Sequence, residues 1–148
     1  MLIRLARPDD VADIHRLIYE LAVYEKAPEQ MVAIVEQINT SLFNEHPVAF
    51  CHVAEVDGKV IGCGALHVLW DDLAEVRTVA VEKSFHNQGV GHLILEKIIE
   101  RAREVGGAPA HLLLRQAGHD LRRPRIARRL VAPDLLLVGR PDVALRFR

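Results

Sequence analysis

The stretch from Leu73 to Gly106, LAEVRTVAVEKSFHNQGVGHLILEKIIERAREVG, decides the fold of this chain. Its first nine residues are rich in β-branched side chains and become apolar on both faces, which predicts a buried strand. From Leu93 onward, apolar residues recur at spacings of three and four, which predicts a helix. Between them, the run Asn-Gln-Gly-Val-Gly at 87–91 removes side chains where the helix begins. A strand, a glycine-bearing loop and a helix therefore follow in direct succession.

The loop at 87–91 is the predicted ligand site. The first amides of a helix have no partner within it, and the positive end of the helix dipole favours an anion such as a phosphate or pyrophosphate. Two common phosphate motifs do not fit. A Walker loop needs Lys and Ser or Thr where this chain has His92 and Leu93, and the dinucleotide fingerprint needs a small residue at the position of Ile94.

These residues resemble the signature of the GNAT superfamily of acetyl-CoA-dependent N-acetyltransferases. That signature is Arg or Gln, two residues, Gly, one residue, and Gly or Ala, after a strand that ends in apolar-Ala-Val. Here Val79-Ala80-Val81 is followed by His86-Asn87-Gln88-Gly89-Val90-Gly91, with His86 in place of the usual Arg or Gln. Residues 69–77 resemble the N-acetylglutamate-synthase-like branch, and the opening through 45–47 resembles the diamine acetyltransferase branch. The resemblance covers residues 1 to about 106.

The resemblance implies that acetyl-CoA is the cosubstrate. Backbone groups of Val79, Ala80 and Val81 would bind the pantetheine arm and the thioester carbonyl. The pyrophosphate would be bound by the loop and first helical turn, at His86, Asn87, Gln88, Gly89, Val90, Gly91 and His92. We expect no metal, because no third ligand of suitable spacing accompanies the two histidines.

Glu75 is the predicted catalytic residue. Acetyl transfer needs a neutral amine, whereas an alkylammonium with a pKa of about 10.4 is charged at pH 7, so a carboxylate must remove a proton. Glu75 is the only acid in the predicted strand, and the resemblance implies a catalytic Glu at about this depth. A cross-strand pair with an Arg is the structural alternative. Alternation predicts that four side chains share one face: Glu75, Arg77, Val79 and Val81.

Two residues are predicted to contact the acceptor. Arg77 could bind a carboxylate through a bidentate pair, or could instead neutralise Glu75. Because the diamine branch has adjacent acids where this chain has Arg77 and Thr78, we expect an amino acid to be preferred to a diamine. Glu25, near Glu20 and Glu29, could attract a cationic amine or could lie on a solvated helix face.

The other predicted elements give an α/β fold, a GNAT-like mixed and mostly antiparallel sheet flanked by helices. They are a strand at Met1–Leu5, a helix capped by Asp9 or Asp10, a second helix opening at Pro28-Glu29, and a hairpin of Val48–Val56 and Val60–Trp70 around Asp57-Gly58. Gly62 and Gly64 indicate that another backbone or a ligand approaches closely. Residues 1–148 are expected to form a single domain, and no apolar run reaches about 18 residues, so no membrane span is predicted.

The positions of the two cysteines indicate whether the protein works in an oxidising or a reducing compartment. With a two-residue turn at Asp57-Gly58, Cys51 lies opposite Gly64 and Cys63 opposite His52, which predicts thiols on opposite faces of the sheet. We therefore expect no disulfide between them and take a reducing cytoplasm as the default.

The segment 107–148 departs from the resemblance. It holds nine Arg against three Asp, whereas residues 1–106 hold 10 Lys and Arg against 17 Asp and Glu. A strand is predicted at 110–116 and another at 131–138. The Tyr that protonates the leaving thiolate in GNAT domains has no counterpart here, since both tyrosines lie on the first helix. The segment is a divergent end, a product of a shifted reading frame, or a nucleic-acid-binding arm, the last disfavoured because only Phe147 could stack on a base.

The leading hypothesis is N-acetylation of a primary amine of a small molecule by acetyl-CoA. The alternatives are acetylation of a protein or peptide, and an acyl-CoA-binding sensor or subunit without catalysis. The resemblance also implies a possible homodimer.

Overall fold

The computed structural model describes residues 1–24, 26–47, 49–70, 73–106, 111–114 and 137–139. Within them the helices and strands follow in the order β1 (Leu2–Leu5), α1 (Val11–Tyr24), α2 (Val35–Phe43), β2 (Ala49–Val56), β3 (Lys59–Trp70), β4 (Leu73–Val81), α3 (Val90–Gly106), β5 (His111–Leu114) and β6 (Leu137–Gly139). Short 3₁₀ turns at Pro8–Asp10, Pro28–Gln30 and Lys83–Phe85 connect some of them.

The six strands form one sheet in the order of the chain. The pairs from β1 to β4 are antiparallel, whereas β5 and β6 continue the sheet in parallel with β4. The predicted fold class, a mixed and mostly antiparallel sheet flanked by helices, is confirmed. The first of the two strands predicted after residue 106 is found as β5, and the second prediction, 131–138, overlaps β6 at 137 and 138, while 131–136 lie outside the described residues.

Helices cover both faces of the sheet. Ile94 and Ile98 of α3 are fully buried against one face together with Leu66 and Val76, while Leu17 of α1 is buried against the other. The α3 side is tightly packed, because a Cβ on Gly64 would lie 2.7 Å from Ile94 Cγ2 and 2.8 Å from Ile98 Cδ1. The close approach predicted at Gly62 and Gly64 is thus made by side chains of α3.

A β-bulge divides β4 into two parts. Arg77 pairs with Ala65 and Ala80 with Cys63, so two residues of β4 stand opposite one of β3, and Thr78 takes a positive φ of 57°. Such a bulge reverses the alternation of faces beyond it. Glu75 and Arg77 therefore face the α1 side, whereas the side chains of Val79 and Val81 pack into the core beneath α3. The prediction that the four share one face was wrong, because alternation alone does not reveal the bulge.

A second bulge corrects the cysteine prediction. The β2–β3 register shifts between Ala54 and Glu55, so Cys51 pairs with Ala65 and Cys63 with Val53. Both thiols lie on the α1 face, where both are free. The hydrogen bond with Cys51, together with burial, raises the pKa of the Cys63 thiol. The prediction of opposite faces was wrong because the extra residue shifts the register by one.

The second helix begins later than predicted. Pro28-Glu29 opens only a 3₁₀ turn, and α2 starts at Val35. The β-branched residues between them disfavour a helix, and Val32 is 80% exposed. The helix starts where the Ile34 amide donates to Gln37 Oε1 at 3.1 Å, which satisfies one amide at the start of the helix.

The first helix begins close to the predicted cap. Asp10 Oδ2 accepts from the Arg7 amide at 2.6 Å, and Arg4 holds the same carboxylate at 2.7 Å. No helix in the described ranges is long and apolar enough to cross a bilayer.

Candidate active site

The loop between β4 and α3 presents backbone amides at the start of a helix. After the 3₁₀ turn, Asn87 and Gly89 adopt positive φ angles of 61° and 80°. The first backbone bond of α3 runs from Leu93 N to Gly89 O at 3.1 Å. The amides of Val90, Gly91 and His92 therefore have no acceptor within the helix, and they lie at the positive end of its dipole.

The start of α3 lies against the end of β4. A Cβ on Gly91 would be 3.7 Å from Val79 Cγ1 and 3.8 Å from Val81 Cγ2, which is ordinary van der Waals contact. The structure thus brings together the strand end and the loop that the sequence singled out. Any ligand that follows the edge of β4 reaches the amides at the start of α3.

The edge of β4 that faces β5 offers further backbone groups. The pairing with β5 covers Leu73–Val76, and no described strand pairs with 77–81 on that side. The Glu82 amide donates to Ile61 O at 2.8 Å across β3, so by strand alternation the amides of Val81 and Val79 point to the opposite edge. The Ala80 amide instead points to the β3 side, where Ala80 pairs with Cys63.

Two side chains of the loop are directed at the protein itself. His86 Nε2 lies 2.7 Å from the Val81 carbonyl oxygen, and its ring makes an edge contact with Tyr24 at 6.3 Å between centroids. Gln88 Nε2 donates to the Ser84 carbonyl at 3.1 Å. Both side chains hold the loop in shape, so the groups turned toward a ligand are mainly backbone amides.

A pair of opposite charges lies on the α1 face, before the bulge. Glu75 is only 6% exposed, and its Oε2 accepts from Arg77 Nε at 2.6 Å. The Arg77 side chain is 38% exposed. This ion pair lies within one strand, two residues apart.

His67 lies beside this pair and was not among the residues predicted from the sequence. It stands directly opposite Glu75 in the β3–β4 pairing. Burial lowers the pKa of the His67 imidazole, and Arg77 lowers it further, while Glu75 has the opposite effect. Period-two alternation along β3 was available as a signal, but the register that pairs His67 with Glu75 depends on a further irregularity of the β3–β4 pairing, between Val68 and Trp70.

The sequence comparison decides the family. The sequence model of the Acetyltransferase (GNAT) family matches residues 9–130. This chain belongs to the GNAT acetyltransferase family. The GNAT resemblance stated from the loop and strand is confirmed.

Similar proteins include two groups of acetyltransferases. An amino-acid acetyltransferase of Mycobacterium tuberculosis is 38% identical over 104 residues, which are 70% of this chain and 56% of that protein. A thialysine N-epsilon-acetyltransferase of Sus scrofa is 29% identical over 118 residues, 72% of this chain and 69% of that protein. The chain thus spans little more than half the length of the mycobacterial relative.

A solved structure with CoA bound has a similar fold. Rv2747 from Mycobacterium tuberculosis, in complex with CoA, superposes with a TM-score of 0.57 at 30% identity. The match covers 76% of this chain and 62% of that one.

Other residues singled out in the sequence either lie outside the described residues or pair within their own helix. Glu25 lies outside the described residues, as do the Asp71-Asp72 turn and most of 107–148. Glu20 is paired with Arg16 at 3.0 Å, as expected for a solvated helix face. His92 lies 3.4 Å from Glu96 on the same helix. In the described part of the chain, no three His, Cys, Asp or Glu side chains converge as a metal site.

Proposed function

We propose that this chain is an N-acetyltransferase that transfers the acetyl group of acetyl-CoA to a primary amine of a small molecule, with an amino acid preferred to a diamine. The observation that carries the proposal is the set of amides of Val90, Gly91 and His92, which adjoins the edge of β4. Backbone donors at a helix start suit a pyrophosphate. The name of the mycobacterial relative, an amino-acid acetyltransferase, supports the preferred acceptor.

The cosubstrate would lie along β4 and end at α3. The amides of Val79 and Val81 would bind the pantetheine arm as an added strand, and one of them would donate to the thioester oxygen. Asn87, Gln88 and Gly89 are exposed and would frame the pyrophosphate. His86 and Ala80 would act indirectly, since the His86 ring bonds the Val81 carbonyl and the Ala80 amide faces β3.

Glu75 would prepare the nucleophile. The ammonium of the acceptor gives one proton to the Glu75 carboxylate, directly or through a water, and the neutral amine attacks the thioester carbonyl. The C–N bond forms, the C–S bond breaks, and CoA leaves as a thiolate that takes up, through water, the second proton that the attacking nitrogen loses. Because a thiol has a pKa of about 8.5, this departure is tolerable without the Tyr of other GNAT domains.

Arg77 and Glu25 would bind the acceptor. The partly exposed Arg77 guanidinium can bind an acceptor carboxylate with nitrogens other than Nε, which Glu75 engages. Glu25 would attract the amine. Arg77 disfavours a polycationic acceptor, since a positive charge beside a second amine costs binding free energy.

A thiol-release assay on a panel of amino acids and amines tests this function. We expect turnover with acetyl-CoA, faster for amino acids than for diamines. Glu75→Gln should lower kcat by about 10²–10⁴-fold and leave the Kd of CoA unchanged. If rate and CoA affinity fell together, Glu75 would have a structural role.

A sensor without catalysis is the second candidate. It is favoured by the His86 ring, which is engaged with Val81 and Tyr24, and by the lack of a Tyr beyond the first helix. Thermal stabilisation by CoA with no turnover on any acceptor would establish it. Turnover on peptides alone would establish protein or peptide acetylation. A cytoplasmic homodimer remains a prediction of the sequence.

A further inference from the structure

The α1 face of the sheet carries a third ionisable group beside Glu75 and Arg77. The register places His67 opposite Glu75 and places Ala65 opposite Arg77. Side chains directly opposite in an antiparallel pair have Cβ atoms about 4.5–5.5 Å apart. The Cβ atoms of His67 and Glu75 are therefore near neighbours on the same face, and the charge of Glu75 acts on the imidazole.

The surroundings of His67 favour its neutral form. On β2 the opposite residue is Ala49, which is uncharged. Burial lowers the pKa of the His67 imidazole most, Arg77 of β4 lowers it further, and Glu75 of β4 raises it by less than burial lowers it. Because burial and Arg77 lower the pKa of His67, its imidazole is uncharged at pH 7 and can accept a proton.

Glu75 must transfer the proton that it accepts to another group. Its side chain is almost wholly buried, and one oxygen is engaged by Arg77 at 2.6 Å. A carboxylic acid in this position must release its proton before the next turnover. His67 is the adjacent neutral base, and it is only partly buried, so it can exchange protons with water.

We propose that His67 is a proton-relay residue that returns Glu75 to its carboxylate form in each catalytic cycle. This inference rests on the proposed function. The acceptor ammonium gives its proton to Glu75, Glu75 gives that proton to the neutral imidazole, and the imidazolium releases it to water. No electron transfer is involved, and the net reaction is unchanged. His67 therefore acts on the reaction only through Glu75, by accepting the proton that Glu75 has taken up.

Imidazole rescue of His67→Ala is the test. We expect kcat to fall about tenfold or more, with the Kd of CoA and the Tm nearly unchanged, and free imidazole to restore part of the rate. Rescue should increase as pH rises, because only neutral imidazole is a base.

In the unsubstituted protein, kcat should fall as pH drops through the lowered pKa of His67, below about 6.5. His67→Ala should lose this dependence.

His52→Ala is the matched control. His52 is likewise a β-strand histidine whose pKa is lowered by burial, but it is buried and lies on the α3 face. We expect no imidazole rescue for this variant. An unchanged rate in His67→Ala, or a loss that imidazole does not restore, would overturn the relay and leave the acetyltransferase proposal standing. A native protein inactive on every amine would overturn both.

Discussion

The two parts of the candidate site differ in the kind of group that forms them. At the start of α3 the candidate groups are backbone amides, set by glycine positions and by the turn before the helix. On the α1 face, before the bulge, they are side chains, namely His67, Glu75 and Arg77. The first part follows from local sequence, whereas the second depends on strand register. Substitutions should therefore affect the two parts in different ways.

The side-chain part should show the largest specificity effect at Arg77. For Arg77→Gln we expect the KM of an amino-acid acceptor to rise roughly 10–100-fold, since a charge-assisted hydrogen bond contributes about 1.5–3 kcal/mol. Steady-state kinetics should compare each amino acid with the same amine lacking the carboxylate. An equal loss for both acceptors would show that Arg77 serves Glu75 and not the acceptor.

The backbone part should be most sensitive at Gly89. Its φ of 80° disfavours residues with a β-branched side chain, and Gly89→Val should cost about 1–2 kcal/mol, which is roughly a 5–30-fold loss of CoA affinity. Calorimetry with CoA measures this loss. The KM of the acceptor at saturating acetyl-CoA should stay constant, and a selective rise in that KM would contradict the division into two parts.

A region outside both parts should change stability alone. Arg4 and the Arg7 amide lower the pKa of Asp10, so the stabilisation is present above the unfolded pKa of about 3.9 and is lost as pH falls through the folded pKa. Asp10→Asn should therefore lower the Tm near pH 7 by an amount that corresponds to about 1 kcal/mol. Urea unfolding should show that the difference in unfolding free energy between the unsubstituted protein and Asp10→Asn becomes smaller from pH 7 to pH 3. A constant difference would exclude this charge effect.

Gly91 should give the smallest effect. A Cβ there would make ordinary contacts with Val79 and Val81 at 3.7 and 3.8 Å, and its φ is not positive. Gly91→Ala should change the Kd of CoA less than about threefold, since the amide remains in place. It is the matched control for Gly89→Val in the same calorimetry. A larger loss would mean that the ligand needs the space of the missing side chain.

The same contrast explains what the sequence could predict. The loop, the third helix and the Asp57-Gly58 hairpin were predictable because glycine positions and apolar spacing act locally. The faces of Val79 and of Cys63 were not, because each depends on a bulge that inserts one residue into the pairing. His67 was missed for the same reason. The late start of α2 reflects β-branched residues that apolar periodicity alone counted as helical.

The most direct test of the central claim is an NMR titration of the backbone amides with CoA. The account predicts that the amide protons of Val90, Gly91 and His92 shift downfield on binding, more than those elsewhere on α3, because they donate to the pyrophosphate. Unchanged resonances at these three residues in the presence of bound CoA, or no binding of CoA at all, would contradict it.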